Sequence, residues 1–181
     1  QRWNGTLLLY SQGYFPFPVP AVVTAGAGGQ GDPLLRFYLL THGYALAGSS
    51  ASVGYRIKEA FSEQIEVLDT FNALVGPPAR TIAWGHSMGG IITAGLIQKY
   101  PDRFSAALSM CGGTGGSVGF LNTWLDAAFA FKTLLAPGSG LQVVDITDVD
   151  TNFSIAEQAL TAGQATAEGR ARIALVAALT D

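Results

Sequence analysis

Apolar residues occur in short continuous runs and in longer amphipathic stretches, which alternate over the first two-thirds of the chain. The short runs are bounded by Gly, Pro or polar residues and predict buried strands at residues 6–10, 43–48, 80–84 and 104–110. The amphipathic stretches carry apolar residues every three or four positions and predict helices from residue 33 towards 43, over 56–74 and over 88–100. Strands that alternate with helices are typical of the α/β class, as a doubly wound, mainly parallel sheet with right-handed crossovers.

The alternation of predicted strands and helices ends after residue 112. Residues 121–135 are apolar nearly all round, and residues 154–180 predict two Ala-rich helices that separate near Gly163. Only residues 140–146 indicate a possible further strand. The sequence thus predicts a sheet-based core over residues 1–112 and a mostly helical, incomplete segment over residues 113–181. Four apolar side chains of this segment either line a pocket for an apolar group or form the segment's own core: Phe120, Trp124, Phe129 and Phe131.

The pattern Gly-x-Ser-x-Gly occurs twice, at residues 85–89 and 115–119. A nucleophilic serine in this pattern sits on a tight turn between a strand and a helix, where glycines at the flanking positions prevent steric clashes. Ser87 meets this requirement, because the strand predicted at 80–84 runs into the motif and an apolar helix follows it. Ser117 does not meet it, because a Gly-rich segment separates it from the preceding strand, and we expect it to lie in a loop.

Three segments carry a resemblance to a known family over residues 3 to about 113. They are Gly-His-Ser-Met-Gly-Gly at 85–90, Tyr-Pro-Asp-Arg-Phe at 100–104 and Tyr-Ser-Gln-Gly-Tyr at 10–14. With these motifs the chain resembles the α/β-hydrolase superfamily, in particular serine esterases and lipases with a lid. The resemblance implies that Ser87 attacks a small-molecule carboxylic ester to form an acyl-enzyme, and that the backbone N–H groups of Tyr14 and Met88 form the oxyanion hole. It also implies a lid or cap over residues 113–181, and it places Gln12 where the family usually has His.

In this family an Asp or Glu and then a His follow the serine and activate it. The chain contains two histidines, His86 beside the nucleophile and His42, which precedes it and fits a helix end. Possible acids follow the candidate strand at 140–146, but no His comes after them: Asp145, Asp148 and Asp150. We therefore expect a second polypeptide or fragment to supply the catalytic Asp or Glu and the His. The family also places two strands before residue 6, and their absence favours a piece of a larger protein.

Composition and charge exclude several other classes of partner. A net charge of −3 without any cluster of Lys or Arg gives no electrostatic basis for binding nucleic acid. Glycines interrupt the long uncharged stretches, so no transmembrane segment is predicted. Cys111 is the only cysteine, which excludes an intrachain disulfide and a cysteine-based zinc site, and we expect neither a cofactor nor a metal. The compartment stays open, although a start without methionine favours secretion over the cytoplasm.

Two other functions compete with a hydrolase. Residues 26–31 match the Gly-x-Gly-x-x-Gly pattern of Rossmann dinucleotide-binding domains, but Pro33 would interrupt the helix that such glycines open. The strand that follows also lacks the Asp or Glu that would bind a ribose. The other alternative is a catalytically inactive α/β-hydrolase fold that serves as a binding module. Labelling of Ser87 by a fluorophosphonate distinguishes the enzyme from this module.

Overall fold

A four-stranded parallel sheet organises the first part of the chain in the computed structural model, which describes residues 2–15, 33–49 and 54–179. The strands are β1 (Thr6–Ser11), β2 (Ala45–Gly48), β3 (Arg80–His86) and β4 (Ala106–Met110). Their order across the sheet is β2-β1-β3-β4, and each neighbouring pair is parallel. All carboxyl ends of the strands therefore lie at one edge of the sheet, and the predicted α/β fold class is confirmed.

Helices connect these strands within the first of two compact units, Gln1–Thr114. They are α1 (Pro33–Thr41), α2 (Ile57–Leu74) and α3 (Met88–Lys99), and a short 3-10 turn at Pro101–Arg103 follows α3. α1 precedes β2, α2 connects β2 to β3, and α3 connects β3 to β4. The predicted order of strands and helices is therefore correct over the described residues of this unit.

The side chains of β1 pack on both faces of the sheet, because successive residues of a strand point to opposite faces. On one face Leu7 packs against Leu68 of α2. On the other face Leu8 packs with Trp84 and with Leu35 of α1. Every residue of β1 is buried, which explains why this run is apolar without alternation. Helices thus cover both faces of the sheet, as in a doubly wound fold.

The second compact unit, Gly115–Asp181, contains only helices as regular structure in its described residues. These helices are α4 (Ser117–Leu135), α5 (Val149–Gln164) and α6 (Ala167–Leu179), and each packs against the other two. The backbones of α5 and α6 approach each other closely at two glycines. A Cβ atom at Gly169 of α6 would lie 2.1 Å from the carbonyl oxygen of Gly163 of α5. The helices predicted in this segment are confirmed, although α5 begins at Val149 rather than near residue 154.

Two predictions for this unit are wrong. Residues 140–146 form no strand, since the backbone N–H of Gln142 donates to Asn152 Oδ1 at 2.7 Å and its carbonyl accepts from Asn152 Nδ2 at 2.9 Å. Ser117 is the first residue of α4 and does not lie in a loop. Of the four apolar side chains named for this segment, Trp124 and Phe129 are 66% and 62% exposed, whereas Phe120 and Phe131 are half-buried.

Three further features concern dinucleotide binding, membrane spans and metal binding. The Gly-x-Gly-x-x-Gly pattern at residues 26–31 lies outside the described residues. Among the helices that are described, none combines the length and the apolar character needed to span a membrane. The described residues also bring no group of three or more His, Cys, Asp or Glu side chains into an arrangement that would hold a metal ion.

Candidate functional site

Ser87 is the single residue between β3, which ends at His86, and α3, which begins at Met88. Its backbone has φ 56° and ψ −126°, and a positive φ is uncommon and strained for a residue with a side chain. The Ser87 N–H donates to the carbonyl of Met110 at 2.9 Å, which ties this turn to the end of β4. Ser87 is exposed, whereas its neighbour Met88 is buried. The turn therefore presents the Ser87 side chain at the carboxyl edge of the sheet.

Three glycines allow the chain segments around this turn to approach closely. A Cβ atom at Gly85 would lie 2.5 Å from the carbonyl oxygen of Ser11, and one at Gly89 would lie 2.0 Å from the same oxygen. A Cβ atom at Gly90 would lie 2.7 Å from the Met110 carbonyl oxygen. These contacts are with backbone atoms, which cannot rotate away as a side chain can. The glycines of the motif are thus required by the packing of β1, β4 and α3.

The segment that follows β1 lies against the same turn. Gln12 and Gly13 are buried, and a Cβ atom at Gly13 would lie 3.2 Å from His86 Nε2. Tyr14 comes next and is 49% exposed, with its ring centroid 6.3 Å from that of Tyr55. Met88 opens α3, and the first N–H groups of a helix have no acceptor within the helix. The structure therefore brings the segment leading to Tyr14 and the start of α3 to one edge of the sheet.

Each of the two histidines makes a hydrogen bond with a tyrosine residue. His42 follows α1 and precedes β2, so it lies at the amino edge of the sheet, opposite Ser87. Its Nδ1 donates to the Tyr38 carbonyl at 2.7 Å and its ring stacks on that of Tyr38, which confirms the predicted role at a helix end. His86 Nδ1 lies 2.7 Å from the Tyr10 hydroxyl oxygen. Both imidazoles are thus engaged in hydrogen bonds with other residues.

The three candidate acids belong to the helical unit, and one of them has a clear structural role. Asp148 caps α5, because its Oδ1 accepts from the Thr151 N–H at 3.0 Å and its Oδ2 accepts from the Thr151 hydroxyl at 2.7 Å. The backbone hydrogen bond from Thr151, followed by the one from its side chain, lowers the pKa of Asp148. Asp150 lies in the first turn of the same helix, and Asp145 has a positive φ of 49°.

The capping role of Asp148 leads to a prediction about pH. Because the pKa of Asp148 is lowered in the folded chain, its contribution to stability is complete above the ordinary value of 3.8 and is lost as the pH falls through the lowered pKa. Asp148→Ala should therefore destabilise the helical unit at neutral pH and have little effect in strong acid. Denaturation followed by circular dichroism at both pH values measures this difference. A difference in stability between the parent and Asp148→Ala that is no smaller in strong acid than at neutral pH would contradict the account.

The contact between Tyr10 and His86 was not predicted from the sequence. The sequence predicts Tyr10 at the end of the first strand and in the motif at residues 10–14, and it places His86 beside Ser87, but it does not indicate that the two side chains meet. The signal that identifies the pair is the register, in which Tyr10 lies opposite Trp84, so that His86 is the next residue of β3 on the same face. A register of this kind depends on long-range pairing and cannot be derived from local pattern.

Comparison with known proteins gives limited but relevant similarity. No protein-family profile matches the chain. An o-phthalyl amidase from Xanthobacter agilis is 28% identical to it over 165 residues, an alignment that covers 78% of this chain. The same alignment covers 36% of that relative, so the chain spans well under half of the relative's length.

Proposed function

We propose that this chain is the nucleophile-bearing part of a serine hydrolase of the α/β-hydrolase type, which cleaves a carboxylic ester or a related acyl bond through an acyl-enzyme on Ser87. The observation that carries the proposal is the backbone of Ser87, which is held at φ 56° on an exposed turn between a strand and a helix. A strained conformation of this kind costs about 1–3 kcal/mol and persists only where the surrounding structure enforces it. Such positions cluster at active sites, which favours a chemical role over a purely structural one.

In the proposed reaction the Ser87 hydroxyl oxygen attacks the carbonyl carbon of the substrate. Its proton passes to an imidazole that lies outside the chain's own two histidines and is oriented by a carboxylate. The carbonyl oxygen becomes negatively charged, and the backbone N–H groups of Tyr14 and Met88 stabilise it by donating hydrogen bonds. The tetrahedral intermediate then expels the alcohol, which takes the proton from the imidazole. Water attacks the acyl-enzyme by the same route and regenerates Ser87.

The N-terminus of α3 lies where the proposed reaction develops negative charge on the substrate oxygen. α3 extends over Met88–Lys99, and the aligned peptide dipoles of a helix give its N-terminus a partial positive charge. Ser87 directly precedes this N-terminus, so negative charge that develops on the substrate oxygen would be stabilised there. One oxyanion donor typically contributes about 3–4 kcal/mol to lowering the barrier.

An amide is the second candidate for the bond that is cleaved. The relative from Xanthobacter agilis is named an amidase, and ester and amide hydrolysis pass through the same kind of tetrahedral intermediate.

We also propose that the helical unit is a lid or cap segment of such an enzyme. Its exposed Trp124 and Phe129 support this proposal, because exposed apolar surface often marks a site that contacts a ligand or another surface.

A fluorophosphonate probe tests the proposal, because it reacts with activated serines. The preparation should contain every polypeptide that accompanies the chain, and the adduct is mapped by peptide mass spectrometry. We expect the adduct on Ser87, its loss in Ser87→Ala and its retention in Ser117→Ala, which removes the serine of the second Gly-x-Ser-x-Gly motif. Failure of the probe to label Ser87 would favour the inactive binding module instead.

A further inference from the structure

We infer that His86 is a positioning residue, whose imidazole links the buried Tyr10 to the segment that carries the proposed oxyanion donor Tyr14. The inference rests on the proposed function, since it concerns the geometry of the same site. It assigns to His86 a role other than that of the general base. The role is carried by contacts on both sides of the imidazole ring.

The first side of the ring is anchored in the core of the sheet. His86 Nδ1 lies 2.7 Å from the Tyr10 hydroxyl oxygen, and the two rings stack with centroids 6.1 Å apart. Tyr10 is only 2% exposed, and its ring packs edge-on against the buried Trp84 at a centroid distance of 5.1 Å. This hydrogen bond is partly buried and ties the imidazole to the fully packed Tyr10 ring, which restricts rotation of the imidazole. The orientation of His86 is thus set by β1 and β3.

The second side of the ring faces the backbone after β1. The position of a Cβ atom on Gly13 would be 3.2 Å from His86 Nε2 and 3.4 Å from the His86 carbonyl oxygen. Gly13 therefore lies beside the imidazole, and a side chain at this position would press against Nε2. Because Tyr14 is the next residue, the distance of the Tyr14 N–H from Ser87 depends on where the ring holds Gly13.

This arrangement has a specific consequence for catalysis. Oxyanion donors act mainly on the transition state, where the negative charge develops, and a misplacement by about 1 Å can lower a rate roughly 100-fold. Loss of the imidazole or of its anchor should therefore lower kcat while KM changes little. A residue with only a general packing role would lower the stability of the fold without this separation of kcat from KM.

The experiment is a double-mutant cycle on the full chain with its accompanying polypeptides, using 4-nitrophenyl acetate as substrate. We expect Tyr10→Phe and His86→Ala each to lower kcat by about 10- to 100-fold with less than about a threefold change in KM. The double variant should lose no more than His86→Ala alone, because both changes act through one contact. Tyr44→Phe is the matched control, since Tyr44 packs against the same apolar cluster as Tyr10 but directly precedes β2, at the amino edge of the sheet, and it should retain kcat.

Fluorophosphonate labelling of Ser87 in each variant separates the possible failures. If the parent protein is labelled and hydrolyses the ester, but Tyr10→Phe and His86→Ala retain parental kcat, the role of His86 is refuted and the proposed function stands. Fully additive losses in the double variant would also refute it. If the parent protein is not labelled, the proposed function fails, and the inference fails with it. Should His86→Ala not fold, Tyr10→Phe alone decides the outcome, because it removes a single hydroxyl.

Discussion

Replacement of Ser87 by alanine should lower the kcat for ester hydrolysis by a factor on the order of 10⁶. The reason is that Ser87 supplies the atom that bonds to the substrate, and no other described residue occupies the same turn at the carboxyl edge of the sheet. Steady-state hydrolysis of 4-nitrophenyl acetate by the complete preparation measures the loss. The fold should persist in this variant, because the exposed hydroxyl of Ser87 is not needed for the backbone bonds that form the turn.

The matched control is Ser117→Ala. Ser117 occupies the same place in the second Gly-x-Ser-x-Gly motif, but it is the first residue of α4 rather than the centre of a strained turn. Its backbone does not have the positive φ that distinguishes Ser87. We expect this variant to keep parental kcat within about a factor of two, because Ser117 is exposed and supplies no reacting atom in the proposed mechanism. Equal losses in the two variants, or substantial activity in Ser87→Ala, would contradict the proposed role of Ser87.

Gly89→Ala should destabilise the sheet-containing unit by about 3 kcal/mol, at the upper end of what overpacking usually costs. The added Cβ atom would lie 2.0 Å from the Ser11 carbonyl oxygen and 2.7 Å from its carbonyl carbon, so that β1 and α3 must separate. Activity should fall together with stability, because the same separation moves the segment that leads to Tyr14. Chemical denaturation followed by tryptophan fluorescence measures the change.

Gly119→Ala is a control for which we expect a gain in stability rather than a loss. Gly119 is the last glycine of the second motif and lies within α4, where an added Cβ atom would meet no atom within 4 Å. Alanine stabilises such a helical position by about 0.5–1 kcal/mol relative to glycine. A small gain in the helical unit is therefore expected from the same substitution. Comparable stability of the Gly89→Ala protein and its parent would show that the close approach of Ser11 is not a requirement of the fold.

The turn at Ser87 could be predicted from the sequence because its determinants are local. A short apolar run, a Gly-x-Ser-x-Gly motif and an apolar helix follow one another without a gap, and the structure has β3, Ser87 and α3 in that order. The parallel sheet could be predicted for a related reason, since parallel neighbouring strands need a crossover connection and strands that alternate with helices are typical of parallel sheets. β1, the first of these runs, is buried along its whole length.

Other features could not be predicted because they depend on partners that are distant in the chain. Residues 140–146 include an apolar run, but a strand requires a neighbouring strand to satisfy its backbone, and the Asn152 side chain bonds to the backbone of Gln142 instead. The contact of His86 with Tyr10 depends on the register between β1 and β3.

Capture of the acyl-enzyme is the most direct test of the central claim that Ser87 is the nucleophile. The complete preparation is mixed with 4-nitrophenyl acetate, quenched with acid during turnover and digested for peptide mass spectrometry. The account predicts an acetyl group on the hydroxyl of Ser87, present during turnover and absent after the substrate is exhausted. An acetyl group that forms and decays with turnover on another residue, with Ser87 unmodified, would contradict it.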